Sequence, residues 1–278
     1  VGLPLNKWGD PIDPTNPAAV AWWREQLEAY RALGGEGYKL DYGEDVIVGP
    51  TTLREAWLFA DGSDERTMHK GFQPAYHAMY APLLPEDGGF LLCRSATLGD
   101  QANGVIIWPG DLDATFDRHG ESAVSPSGEA YVAVGGLHAS VVAGLSLGPS
   151  GFPFYGADTG GYRHSPPDKE LMTRWFQQTA LSTVMQVGNS ASTVPWEVDP
   201  DAGYDDELLS WYRGYARLHL RLFPYLWGYA EALATSGRPI QRALGLAHPE
   251  LGVHPSDEYL LGDFLLVAPV VTRGERER

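Results

Sequence analysis

The stretch Gly37-Tyr38-Lys39-Leu40-Asp41-Tyr42-Gly43-Glu44 decides the fold. It reads as a short strand that ends in acids, and the residues before it read as a helix. Asn16 is a good N-cap, Pro17 suits the first helical position, and 18–33 contains no breaker. Gly34-Gly35 then ends the helix. A helix that passes at once into such a strand is the alternation of an α/β protein.

Working outward, 90–94 and 105–108 read as two more buried strands of a parallel sheet, each running into a polar end. Residues 130–143 are helix-like despite Gly135-Gly136, and 151–155 is a strand that enters the glycine-rich loop 156–162. A helix is expected over 168–183, and a long aromatic-rich one over 204–236, interrupted near Pro224. After Gly237-Arg238-Pro239 the pattern changes to strands without helices between them, at 241–246, 259–261 and 264–271. Segments 61–63 and 122–128 read as exposed turns.

With a further strand near the start and one ending near Val187, the alternation yields at most six barrel-like strands, whereas a closed barrel needs eight. Two architectures follow: a barrel without its opening strands, or an open α/β sheet. Termini that look cut from a longer chain favour the first. The expected class is therefore α/β, a partial (β/α)8 TIM barrel lacking its first strands. It would span 1–238, with the beginning of a C-terminal β-sandwich domain over 239–278.

The 278 residues include 36 acids and 20 bases, a formal charge of −16, and no Lys/Arg block offsets it. Long-range repulsion disfavours nucleic acid as a partner. No run approaches 18 apolar residues, so no membrane span is expected. The single cysteine, Cys93, rules out an intrachain disulfide framework and lies inside an apolar run, where packing is its expected role. The compartment stays open between cytoplasm and secretion, and so does the oligomeric state, a homo-oligomer included. Aromatic residues make up 12%, a weak hint of a sugar pocket.

Strand ends deliver ionisable groups at Lys39 and Asp41, at Arg94, and at Asp111 just beyond Trp108. In parallel α/β proteins ligands bind at the carboxyl ends of strands, which makes Asp41 and Asp111 candidates for shared chemistry. Two carboxylates flanking one bond can divide acid and nucleophile duties when their surroundings differ.

Six sequence words, in order, then point to a family. Lys39-Leu40-Asp41-Tyr42-Gly43-Glu44 resembles the K-x-D-x-G-E nucleophile strand of glycoside hydrolase family 31, and Arg94-Ser95 its next strand. Trp108-Pro109-Gly110-Asp111 resembles the W-x-G-D acid/base motif, and Gly156-Ala157-Asp158-Thr159-Gly160-Gly161-Tyr162 the following glycine-rich loop. Phe223-Pro224-Tyr225-Leu226 and the run 261–269 resemble a later helix and the strand after the barrel.

The resemblance implies a retaining double displacement on an α-glycoside or oligosaccharide, with Asp41 as nucleophile and Asp111 as acid/base. It implies that Arg94 and Asp158 bond sugar hydroxyls, that Trp108 and Tyr162 form apolar walls, and that Lys39 and Tyr42 join the substrate-binding set. Glu44 would support the loop. No cofactor and no metal are implied. Transglycosylase, lyase and non-catalytic carbohydrate-binding readings stay open.

One departure stands out. Where family members with a glucose-type pocket carry R-x-H, this chain has Gln186-Val187-Gly188. A site built to bond a particular hydroxyl discriminates strongly, so the expected sugar is not plain glucose. Asp111-x-Asp113-x-Thr115-x-Asp117 lacks the glycine and glutamate of a calcium loop. His119 and His164 read as surface histidines, and no dinucleotide or phosphate-loop fingerprint occurs.

Overall fold

A computed structural model describes residues 12–45 and 58–278. The strand expected near the start lies outside the described residues. The chain forms two compact units, Val1–Trp108 and Pro109–Arg278.

In the first unit, helix α1 (Pro17–Ala32) starts where the Asn16 side chain accepts from the amides of Ala18 and Ala19. Strand β1 (Gly37–Leu40) follows, then helix α2 (Glu65–Tyr80), strand β2 (Phe90–Cys93) and strand β3 (Val105–Ile107). The strands form one parallel sheet in the order β1-β2-β3, with Leu40 opposite Cys93 and Cys93 opposite Ile107. Leu91, Leu92 and Cys93 are all buried, as expected for the central strand of a covered parallel sheet. Burial raises the Cys93 thiol above its ordinary range.

Helix α2 was not legible in the sequence, although Asp64 caps it by accepting from the Thr67 amide. Its buried face, Met68, Phe72 and Met79, is interrupted by the polar Gln73 and His77, which weakens the apolar stripe. His77 Nδ1 lies 2.6 Å from the buried Asp100 carboxylate, which also accepts from Asn103 Nδ2 at 2.8 Å.

The second unit opens with a hairpin of strands β4 (Ser122–Val124) and β5 (Ala130–Val132). Helix α3 (Leu137–Leu147), strand β6 (Asp158–Thr159), helix α4 (Lys169–Thr179), strand β7 (Gln186–Val187) and helix α5 (Asp206–Ser236) follow. Strands β6 and β7 pair in parallel, Asp158 opposite Gln186. After α5 come strand β8 (Gln241–Ala243), helix α6 (Leu244–Ala247), and strands β9 (Tyr259–Leu261) and β10 (Leu265–Val267). The last sheet is antiparallel, in the order β10-β9-β8. Its Tyr259, Leu261 and Val267 share a core with Leu137, Val141, Leu171, Trp175 and Leu226.

Four local expectations are corrected. The helix expected over 130–143 is a strand followed by a helix that starts at Leu137. Its turning point is Gly136, where a Cβ would sit 1.8 Å from the Thr115 carbonyl oxygen. Residues 122–124, expected in an exposed turn, pair with this strand. Helix α5 runs through Pro224 without a break. Leu220, whose carbonyl loses its helical donor, is exposed, so water can serve it. The strand expected over 151–155 is not regular; the pairing occurs at Asp158–Thr159 instead.

Candidate active site

The parallel register brings the carboxyl ends of β1, β2 and β3 together. Arg94 N–H donates to the Leu40 carbonyl at 3.0 Å, and Trp108 N–H to the Cys93 carbonyl at 3.1 Å. Asp41, Arg94 and Trp108 therefore leave the same edge of one sheet. Arg94 Nε lies 3.0 Å from Asp41 Oδ1 and 2.5 Å from Glu44 Oε1. Its guanidinium carbon stands 3.8 Å from the centroid of the Tyr42 ring. Burial by itself would lower the Arg94 guanidinium, but the charges of Glu44 and then Asp41 outweigh it and hold it above its ordinary value.

Tyr42 adopts the left-handed region at φ 62°, and its amide donates to Asp41 Oδ1 at 2.9 Å. That turn folds the chain back so that Glu44 reaches the same arginine as Asp41. The other Glu44 oxygen accepts from Ser95 Oγ at 2.9 Å, and Gln73 from α2 bonds to the same hydroxyl. Gln73 and Ser95 are residues that motif reading did not assign to the site. Ser95 stood beside a motif arginine; Gln73 carried no sequence signal, because only tertiary packing brings α2 to this edge. Lys39 is exposed, with Nζ 4.5 Å from the centroid of the Trp108 ring. Trp108 itself is buried, and its indole N–H has no hydrogen-bond partner.

In the second unit, Asp111 is half-buried and follows Gly110, which turns at φ 79°. The next carbonyl, of Leu112, accepts from both Tyr162 N–H at 2.8 Å and Arg163 N–H at 3.0 Å. Gly161 permits this approach: it lies at φ 86°, and a Cβ there would fall 2.6 Å from Ala114 Cα. The loop bearing Asp111 is thus laid against the glycine-rich loop bearing Asp158 and Tyr162. Asp158 is buried on β6, and Tyr162 is half-buried. Opposite Asp158, Gln186 donates its side-chain amide to the Gly156 carbonyl at 3.0 Å.

His119 lies at the surface as expected, but His164 does not. Its ring stacks on Tyr131 at 3.7 Å between centroids and lies 3.6 Å from the carboxylate of Asp113. Burial, and then the Asp113 charge, raise the Tyr131 hydroxyl. Among the described residues no group of three or more His, Cys, Asp or Glu could hold a metal ion. No helix among them is long and apolar enough to cross a membrane.

An α-xylosidase from Emericella nidulans is 31% identical over 268 residues, which cover 93% of this chain and 30% of the relative. The cycloalternan-forming enzyme from Listeria monocytogenes, solved in complex with a pentasaccharide substrate, superposes with TM-score 0.78 at 27% identity. That match covers 95% of this chain and 24% of the enzyme. The cycloalternan-degrading enzyme from Trueperella pyogenes, in complex with a covalent intermediate, gives TM-score 0.76 at 28% identity, over 95% and 34% of the two chains. The chain spans between 24% and 38% of the length of the curated relatives it matches. Residues 4–229 match the model of the "Glycosyl hydrolases family 31 TIM-barrel domain". A three-stranded and a two-stranded parallel sheet agree with that match, and the chain belongs to glycosyl hydrolase family 31.

Proposed function

We propose that the chain is the catalytic part of a retaining α-glycosidase, with Asp41 as nucleophile and Asp111 as acid/base. The observation that carries this reading is the ion pair of Asp41 with Arg94 at the carboxyl ends of β1 and β2, in a family 31 chain. An arginine partner favours the charged form of a carboxylate, the form a nucleophile needs.

In the first half-reaction an Asp41 oxygen bonds to the anomeric carbon while the bond to the leaving oxygen breaks, and Asp111 gives that oxygen its proton. In the second, water attacks the anomeric carbon, Asp111 takes the water's proton, and the sugar–Asp41 ester bond breaks. The covalent intermediate of the cycloalternan-degrading relative supports this course. We assign Arg94 and Asp158 to sugar hydroxyls, and Lys39, Tyr42, Trp108 and Tyr162 to substrate binding. Oligosaccharides or simple α-glycosides are the substrates. Gln186 and Gly188 at the β7 edge favour a sugar other than plain glucose, and the α-xylosidase relative supports the same direction.

The architecture we assign is a partial barrel over 1–238 with the start of a C-terminal β domain over 239–278. A three-stranded and a two-stranded parallel sheet, followed by an antiparallel one, support it.

The test is a panel of nitrophenyl α-glycosides (xyloside, glucoside, galactoside) with the full-length protein. Turnover of one of them, lost by at least about a thousand-fold in Asp41→Ala, is expected. Turnover unchanged in Asp41→Ala would overturn the assignment. A second reading, transglycosylation, is favoured by the cycloalternan-forming neighbour. It predicts that added oligosaccharide accepts the glycosyl unit in competition with water.

A further inference from the structure

We infer that Asp113 and His164 are positioning residues that hold the loop carrying Asp111, an inference that rests on the acid/base reading of Asp111. Asp113 is fully buried, two residues beyond Asp111. One of its carboxylate oxygens, Oδ2, accepts from the Val134 amide at 2.7 Å. The other, Oδ1, is buried and accepts no hydrogen bond. It faces two side chains of the glycine-rich loop, Arg163 Nε at 3.5 Å and His164 Nε2 at 3.6 Å.

A buried carboxylate with an unbonded oxygen is a costly choice for stability; an apolar residue of similar size would serve a core as well or better. What the carboxylate does supply is a link between three chain segments. It joins the loop after Asp111 to the end of β5 on one side and to the glycine-rich loop on the other. The backbone repeats the link: Asp113 N–H donates to Gly135 O at 3.1 Å, and Ala114 N–H to Arg163 O at 2.8 Å.

His164 is itself held in place. Its backbone lies in the left-handed region at φ 55°, and its ring is parked flat on Tyr131, with 17° between the planes. The imidazole thus cannot swing away from Asp113 without losing that stack. Asp111 is joined through one residue to this clamped point, so the position of its carboxyl group follows the clamp. Proton donation needs hydrogen-bond reach to the leaving oxygen, and a displacement of about 1 Å is enough to cost about a hundred-fold in rate.

The test uses the full-length enzyme and two α-glycosides of the sugar turned over in the panel above, one with a methoxyphenyl and one with a dinitrophenyl leaving group. The dinitrophenolate leaves without a proton, so only the methoxyphenyl substrate depends on a well-placed acid. Asp113→Asn and His164→Asn are expected to lower kcat on the methoxyphenyl glycoside by about ten-fold or more, and on the dinitrophenyl glycoside by about two-fold or less in the step that breaks the glycosidic bond. KM should change little. Should Asp113→Asn fail to fold, His164→Asn carries the test, because asparagine tolerates the left-handed backbone. Asp111→Ala is run in parallel. If Asp111→Ala shows the leaving-group selectivity while both other variants lose equally on the two substrates, or lose nothing, the positioning role is overturned. If Asp111→Ala itself shows no selectivity, the acid/base reading fails, and this inference falls with it.

Discussion

At Arg94 two carboxylates meet one nitrogen, with Glu44 at 2.5 Å and Asp41 at 3.0 Å. The planar guanidinium can serve both while lying on the Tyr42 ring, an arrangement an ammonium cannot reproduce. Arg94→Lys is therefore expected to lower kcat/KM by about a hundred-fold through misplacement of Asp41. The thermal midpoint should move by only a few degrees, which steady-state kinetics and a melting curve on the same preparation would check. Gly161 is the second decisive residue. With φ 86° and Ala114 Cα in the way of any Cβ, Gly161→Ala must displace the contact between the two loops. A loss of about 1–3 kcal/mol in denaturant unfolding is expected, with activity falling further than stability alone explains.

Elements are pinned by polar groups at their ends. The Asp205 side chain caps α5 by accepting from the Leu208 amide, and Lys169 Nζ lies 2.7 Å from it. The Lys169 hydrogen bond, then the Leu208 amide, hold the Asp205 carboxyl below the ordinary carboxylate range. A depressed carboxylate contributes stability that is present above its unfolded pKa and lost as pH falls through the folded one. Helix stability from this cap should thus be intact at neutral pH and fade only below about pH 4. Asp205→Ala should lower the thermal midpoint at pH 7 and leave it nearly unchanged at pH 2. The buried His77–Asp100 contact ties α2 to the turn at 100–103. Removing one partner leaves the other buried without it, so Asp100→Ala is expected to cost about 3 kcal/mol in urea unfolding. In the β4–β5 hairpin an expected helix gives way to a strand for a physical reason. Residues 130–132 have a helix-compatible pattern, but Gly135-Gly136 stops a helix from extending back through them, and 122–124 offers a paired edge.

For the molecule as a whole, the proposed double displacement sets the stereochemistry of the product. Proton NMR of the first turnover should show the α anomer released first, with the β anomer growing only by mutarotation; immediate release of the β anomer would mean an inverting enzyme. The sequence by itself determined the α/β alternation, the family, and the residues standing at the strand ends. These are local properties: a cap, a glycine pair, an apolar run and a short motif each lie within a few neighbouring residues. Tertiary structure alone decided the company those residues keep. Gln73 joins the Glu44 network from a helix that motif reading passed over. His164, read as a surface histidine, turned out stacked and aimed at Asp113. Arg94, assigned to sugar hydroxyls, is also held by Glu44 and Asp41. Each pairing joins residues that only the folded chain brings near one another, and no periodicity or motif in the sequence encodes which distant donor will meet which acceptor.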